Sequence, residues 1–119
     1  MIFDEAVRKA VEETSGGLAA VIMARDGINL SKYVKPEIRI DLETLGIEYS
    51  NLLAAITRAA ETIGTGAVKE VSLSTDSYTT LIRILNPEYF MALILSPQGT
   101  LGKGRFLLRV LAPSLLREF

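Results

Sequence analysis

The chain is expected to fold as one α+β domain in the order α-β-β-α-β-β-β-α, with a single five-stranded antiparallel sheet and helices on both faces. Three observations predict this. Residues 18–25 (LAAVIMAR) and 89–96 (YFMALILS) are apolar at successive positions, the mark of strands covered on both sides. Three further strand-length segments carry polar residues and are set off by turn signals. One long helical pattern, residues 42–64, divides the first two strands from the last three.

Residues 2–14 place Ile2, Phe3, Ala6, Val7, Ala10 and Val11 on one side of a helix and Arg8, Lys9, Glu12 and Glu13 on the other. Ser15-Gly16-Gly17 stops that helix. After the first strand, Asp26-Gly27 signals a hairpin. Residues 28–34 then alternate, with Ile28, Leu30 and Val34 expected to face inward and Asn29 and Ser31 outward. Lys35-Pro36 ends this edge-like strand.

The long helix shows two rows. Leu45, Tyr49, Leu52, Ile56 and Ile63 form an apolar stripe. Gly46, Ser50, Leu53, Thr57, Ala60 and Gly64 form a row of mostly small side chains, along which a second backbone can come close. Such a row packs either on another element of the same chain or on a partner. Asp41, Glu43 and Glu48 near its start complement the helix dipole. Gly64-Thr65-Gly66 closes the helix. Residues 67–75 (AVKEVSLST) are polar on both faces and free of proline, the pattern of an exposed edge open to another strand. Residues 78–85 and 89–96 follow, separated by Asn86-Pro87-Glu88. A last helix is expected over residues 103–117, kinked or interrupted at Pro113. The burial pattern puts strands one, five and four inside the sheet and two and three at its edges.

The chain has 119 residues, one domain's worth, with 49% hydrophobic residues and a net charge of −1. No basic field invites nucleic acid. Cysteine and histidine are absent, which removes disulfides, thiolate or imidazole metal ligands and His-dependent triads. Acidic residues from Asp4 onward interrupt any leader-like N-terminus, and no apolar run approaches the ~20 residues that span a bilayer. A soluble cytoplasmic protein without membrane insertion is expected.

Chemistry is poorly supported. The run Gly99-Thr100-Leu101-Gly102-Lys103-Gly104 precedes a helix, but its spacing is not that of a nucleotide loop, and no Ser or Thr follows Lys103 to hold magnesium. It reads as a connection, although Lys103 and Arg105 are placed to meet an acidic partner. No carboxylate pair sits at the end of a central strand, so no catalytic residue, cofactor or metal is expected. Tyr33, Tyr49, Tyr78 and Tyr89 lack the basic interleaving of a nucleic-acid platform.

Surfaces are better supported. The small-residue row and the open edge adjoin in sequence, so a two-fold axis through both would stack the helices and pair the edges. The expected dimer interface is Gly46, Ser50, Leu53, Thr57, Ala60 and Gly64 on the helix, with Val68, Glu70 and Ser72 on the edge strand.

The long helix with its Gly-x-Gly, then EVSLSTDSYTTLIRIL and NPEYFMALILSPQGTLGKGRFLLRVLAP, resembles the roadblock/dynein light chain family, in particular its MglB-like bacterial members. The likeness covers nearly the whole chain. It rests on hydrophobic pattern together with Gly64, Gly66, Asp76, Tyr89, Gly99, Gly104 and Arg105. It implies the same element order and a homodimer joined through the long helix and the strand after it. It also implies regulation or scaffolding of Ras-like small GTPases in cell polarity. MglB-like members activate an MglA-like GTPase by repositioning its own catalytic groups rather than inserting an arginine. By this likeness the paired helices form the docking platform, here Ser50, Ala54, Thr57, Arg58, Ala60 and Glu61. Some MglB-like proteins carry a further tail, and none is expected after Phe119. The alternatives are a non-catalytic scaffold or adaptor for a GTPase and, in another class, a small-molecule sensor, against which no polar residues converge on an apolar pocket.

Overall fold

The computed structural model describes residues 2–119. The elements are α1 (Ile2–Glu12), β1 (Gly17–Ala24), β2 (Asn29–Val34), α2 (Leu42–Ile63), β3 (Glu70–Ser74), β4 (Thr79–Asn86), β5 (Tyr89–Leu95) and α3 (Leu101–Leu116). One five-stranded sheet runs β2-β1-β5-β4-β3, and every neighbouring pair is antiparallel. The predicted order and the assignment of edges are as the burial pattern indicated.

Strand alternation divides the core into two layers. On one face Ala20, Ile22, Leu81, Met91 and Leu93 pack with Val7 and Val11 of α1 and Leu108 and Leu115 of α3. On the other Val21, Met23, Ile82, Phe90 and Ile94 pack with Leu42 and Leu53 of α2. β1 and β5 contribute to both layers, which is why their sequences are apolar without alternation. Gly104 of α3 lets that helix lie close to the sheet: a Cβ there would stand 3.0 Å from Leu93 Cδ2 and 3.2 Å from Leu81 Cδ1. The glycine-rich run before α3 is in part a packing device.

Three expectations need correction. In β2 Val34 packs on the α2-side core as expected, but Ser31 is buried on the α1 side, while Leu30, and Ile28 just before the strand, are exposed. The cause is α1, which covers this end of the sheet with polar groups. Ser31 Oγ donates to Asp4 Oδ1, Tyr33 Oη donates to Glu12 Oε2 at 3.1 Å, and the Arg8 guanidinium lies 5.3 Å from the Tyr33 ring centre. Partial burial and the bonded Glu12 carboxylate hold the Tyr33 hydroxyl above the usual phenol range. The edge strand β3 spans five residues rather than nine: Glu70–Ser74 pair with β4, and Thr75 already belongs to the turn, its N–H donating to Tyr78 O at 2.8 Å. Finally, α3 runs through Pro113 to Leu116 without interruption. Pro113 is exposed, so water can serve the carbonyl that the missing N–H leaves free.

Candidate interaction surface

The site is built on α2. Asp41 caps its start: Oδ1 accepts from the backbone N–H of Glu43 at 3.1 Å and of Thr44 at 3.2 Å, and Thr44 Oγ1 donates to Oδ2 at 2.7 Å. These bonds hold the Asp41 carboxyl below its ordinary range; the Thr44 hydroxyl contributes most, the amides and Lys32 add to it, and desolvation opposes. Gly64 closes the helix in the left-handed conformation, φ 73°, which a glycine adopts without strain.

The orientation of α2 corrects part of the expected interface. Leu42, Gly46, Ser50 and Leu53 are its buried residues and face the chain's own sheet. A Cβ at position 46 would overlap Cε and Sδ of Met23. The sheet beneath carries large side chains, Met23 and Phe90 among them, so the small row of the helix is the complement of a bulky strand surface. Gly46, Ser50 and Leu53 are therefore covered within the chain and are not open to a partner. Leu45 and Tyr49 flank the buried row half-buried, and the Tyr49 and Thr80 hydroxyls are 2.9 Å apart.

What α2 presents outward is a different line: Ile47, Asn51, Ala54, Ala55, Arg58, Ala59 and Thr62, all exposed. Ile47 is 53% exposed and Ile63, at the far end, 72%. Of the residues expected to dock a GTPase, Ala54, Arg58 and Glu61 lie on accessible surface, Thr57 and Ala60 are half-buried, and Ser50 is enclosed. Gly64 is exposed.

Beyond Leu53 the helix parts from the sheet. A cleft of about 520 Å³ opens there, between Thr57 and Glu61, the linker 66–68 and the β4–β5 turn. Arg25, which directly follows β1, reaches across its floor and donates from Nη2 to Thr57 Oγ1 at 3.2 Å. Thr57 and Glu61, expected for docking, and Val68, expected for dimerisation, thus meet at one place. Arg25 is a residue that sequence reasoning misses; its position beside the Asp26-Gly27 turn gives no separate signal. Asn86 also lines the cleft, with its Oδ1 taken up by the turn amides of Glu88 and Tyr89. Polar groups do converge on this partly apolar cleft, contrary to the sequence expectation.

Beside the cleft runs the free edge of β3. It pairs with β4 alone among the described residues, and Ser72, Leu73 and Ser74 are exposed. Leu73 points to the α2 side of the sheet, 38% exposed. Glu70 faces the other side and is held by Arg105 of α3, Nε to Oε2 at 2.7 Å. The described residues hold no group of three or more His, Cys, Asp or Glu side chains placed for a metal.

A sheet sealed by two helices on one side and crossed by one long helix on the other leaves one helix face and one strand edge accessible. No family model and no curated protein matches the chain. Among solved structures, MglC from Myxococcus xanthus is 39% identical over 100% of both chains, with a TM-score of 0.72. The gliding protein MglB from Thermus thermophilus is 18% identical, covers 98% of this chain and 87% of its own, and superposes with a TM-score of 0.87. A roadblock/LC7 domain from Streptomyces avermitilis is 18% identical over 94% of this chain and 92% of its own, with a TM-score of 0.83. The chain belongs to the roadblock/LC7 family, among its MglB- and MglC-like bacterial members.

Proposed function

We propose that this protein is a homodimeric regulator of an MglA-type, Ras-like small GTPase, acting by binding rather than through an active site of its own. The supporting observation is the conjunction of an outward α2 face rich in alanine with an unpaired β3 edge beside it. Two copies related by a two-fold axis would pair β3 with β3, and helices bearing Ala55 and Ala59 can approach closely. In this reading the dimer contact draws on Ser72, Leu73 and, on the outer row of α2, Ala55 and Ala59, together with Thr57, Ala60, Gly64, Val68 and Glu70 at its margin. Ala54, Arg58 and Glu61 face the GTPase. Any acceleration of hydrolysis requires tighter binding to the transition state than to the GTP-bound ground state.

An adaptor that holds a GTPase circuit together without changing turnover is a second reading. The chain is 39% identical to MglC and 18% to MglB, so the activating role rests on the more distant of the two likenesses. Single-turnover GTP hydrolysis by the cognate MglA-type GTPase, with and without this protein, decides between them, with nucleotide release followed in parallel. Faster hydrolysis supports the activator, and confirmed binding with unchanged rates supports the adaptor. No binding to either nucleotide state overturns both. Ala59→Arg, on the exposed side of α2, is expected to give folded monomers by light scattering; an unchanged dimer removes this face from the contact.

A further inference from the structure

The opposite face of the sheet carries positive charge that the proposed function leaves unused. A second cleft, about 400 Å³, lies between the C-terminal half of α3, the strand β4 and residues 68–69 just before β3. Lys69, Arg83 and Arg109 line it, and no acidic residue is among its described lining. Glu70 lies opposite Arg83 in the β3–β4 register but is bound to Arg105. Arg83 Nε is buried and has no hydrogen-bond partner among the described residues. A guanidinium N–H withheld from water is costly until a ligand supplies an acceptor.

The rest of the surface is apolar. Pro113 and Leu116 form the α3 wall of the cleft. One and two turns earlier on the same helix, Val110 is 52% and Phe106 is 56% exposed. From 101 to 116 the helix contains cations and no acid. We infer that this cleft and the adjoining outer face of α3 bind an acidic, partly apolar segment of a protein partner. Its carboxylates would meet Arg83 and Arg109, and its apolar side chains would meet Pro113, Leu116, Val110 and Phe106.

Guanidinium forks match carboxylates bidentately, and the apolar walls reward a chain that brings hydrophobic groups with its charge. The half-recessed Arg83 favours a side chain that reaches into a concavity over a flat anionic membrane. A net charge of −1 with a local basic patch is not the broad field that nucleic acid requires. The cleft adjoins the first one through Val68 and Ile84, but Arg83, Arg109 and the outer face of α3 lie across the sheet from α2, so they would let the protein hold a second partner while the α2 face is engaged.

Selection of displayed random peptides on the intact protein, with the Lys69→Glu/Arg109→Glu variant as counter-selection, tests this. The expected outcome is enrichment of sequences mixing Asp or Glu with Leu, Ile or Phe. Their affinity should fall at least about tenfold on Arg109→Glu and weaken with added salt. Arg83→Lys should weaken them despite retaining charge, and Ala59→Arg should leave them unaffected. Thermal melts confirm that each variant is folded. Failure to enrich such peptides, or enriched peptides indifferent to both charge reversals, overturns the inference. It is also overturned if phosphatidylglycerol vesicles bind in an Arg109-dependent way while peptides do not, or if inorganic phosphate alone binds as tightly as the peptides.

Discussion

The two faces of the sheet are covered unequally. α1 and α3 bring Ala6, Val7, Ala10, Val11, Leu108, Ala112 and Leu115 into their layer of the core. α2, the longest helix at 22 residues, brings Leu42 and Leu53 fully into the other, with Leu45 and Tyr49 packed half-buried against it and Gly46 and Ser50 also buried. Helix stability in proteins comes chiefly from packing of an apolar face. A long helix that buries little against its own domain has surface left for something else. One face of the molecule is thus arranged for stability, and the other holds stability at one end and accessible surface at the other.

The sharpest way to break this comparison is to delete a core side chain under the sealed face and an apolar one from the free end of α2. Leu108 is 1% exposed, and Leu108→Ala should cost about 2–5 kcal/mol in urea-unfolding experiments. Ile63 is 72% exposed, and Ile63→Ser should change monomer stability by no more than about 0.5 kcal/mol. Similar losses from the two would mean that the end of α2 is packed after all. If Ile63 lies in a dimer contact, its replacement should act on association and leave the melting of the isolated subunit alone.

A second prediction sharpens the orientation of α2. Gly46→Ala puts a methyl group into Met23, a clash of the kind that costs about 1–3 kcal/mol. The gain of about 1 kcal/mol from replacing a mid-helix glycine with alanine offsets part of it. A net loss is expected, and Met23→Ala in the same chain should relieve it, a coupling that a double-mutant cycle reads directly. If position 46 faced outward, Gly46→Ala would stabilise the protein and Met23→Ala would not couple to it.

The same position shows where the sequence stops being informative. The order of the strands was legible, because β1 and β5 are apolar at every step and only central strands need be. The element order followed from turn residues at Asp26-Gly27 and Asn86-Pro87. The facing of α2 was not legible. A row of small side chains fits a partner helix and fits equally well a sheet that bears Met23 and Phe90, and those residues lie far away in the chain. The facing of β2 was hidden for a related reason: Ser31 is buried against Asp4, so polarity there marks a contact with α1 rather than solvent. The cleft at Arg25 is assembled from four separate segments, none of which carries a motif.

The smallest expected effect concerns the end of α2 that is anchored. With so little of this helix in the core, its cap has a larger share in holding its first turn than a cap on α3 would; Thr100, at the start of α3, makes no side-chain cap bond at all. Asp41 has its carboxyl lowered by the Thr44 hydroxyl first and by the amides of Thr44 and Glu43. A carboxyl whose folded pKa lies below its unfolded one stabilises the fold above the unfolded pKa. That contribution is lost as pH falls through the folded pKa. Asp41→Ala should therefore lower the melting temperature modestly at neutral pH, and the gap to the unmodified protein should close in acid. Asp41→Asn keeps an acceptor for the Glu43 and Thr44 amides but not the charge, so it should fall between the two and remove this group's pH dependence. Amide hydrogen exchange gives the local readout. Protection at the start of α2 should drop in Asp41→Ala while α1 and α3 stay as they were, and a uniform drop across all three helices would show that α2 is tied to the rest of the core as firmly as they are.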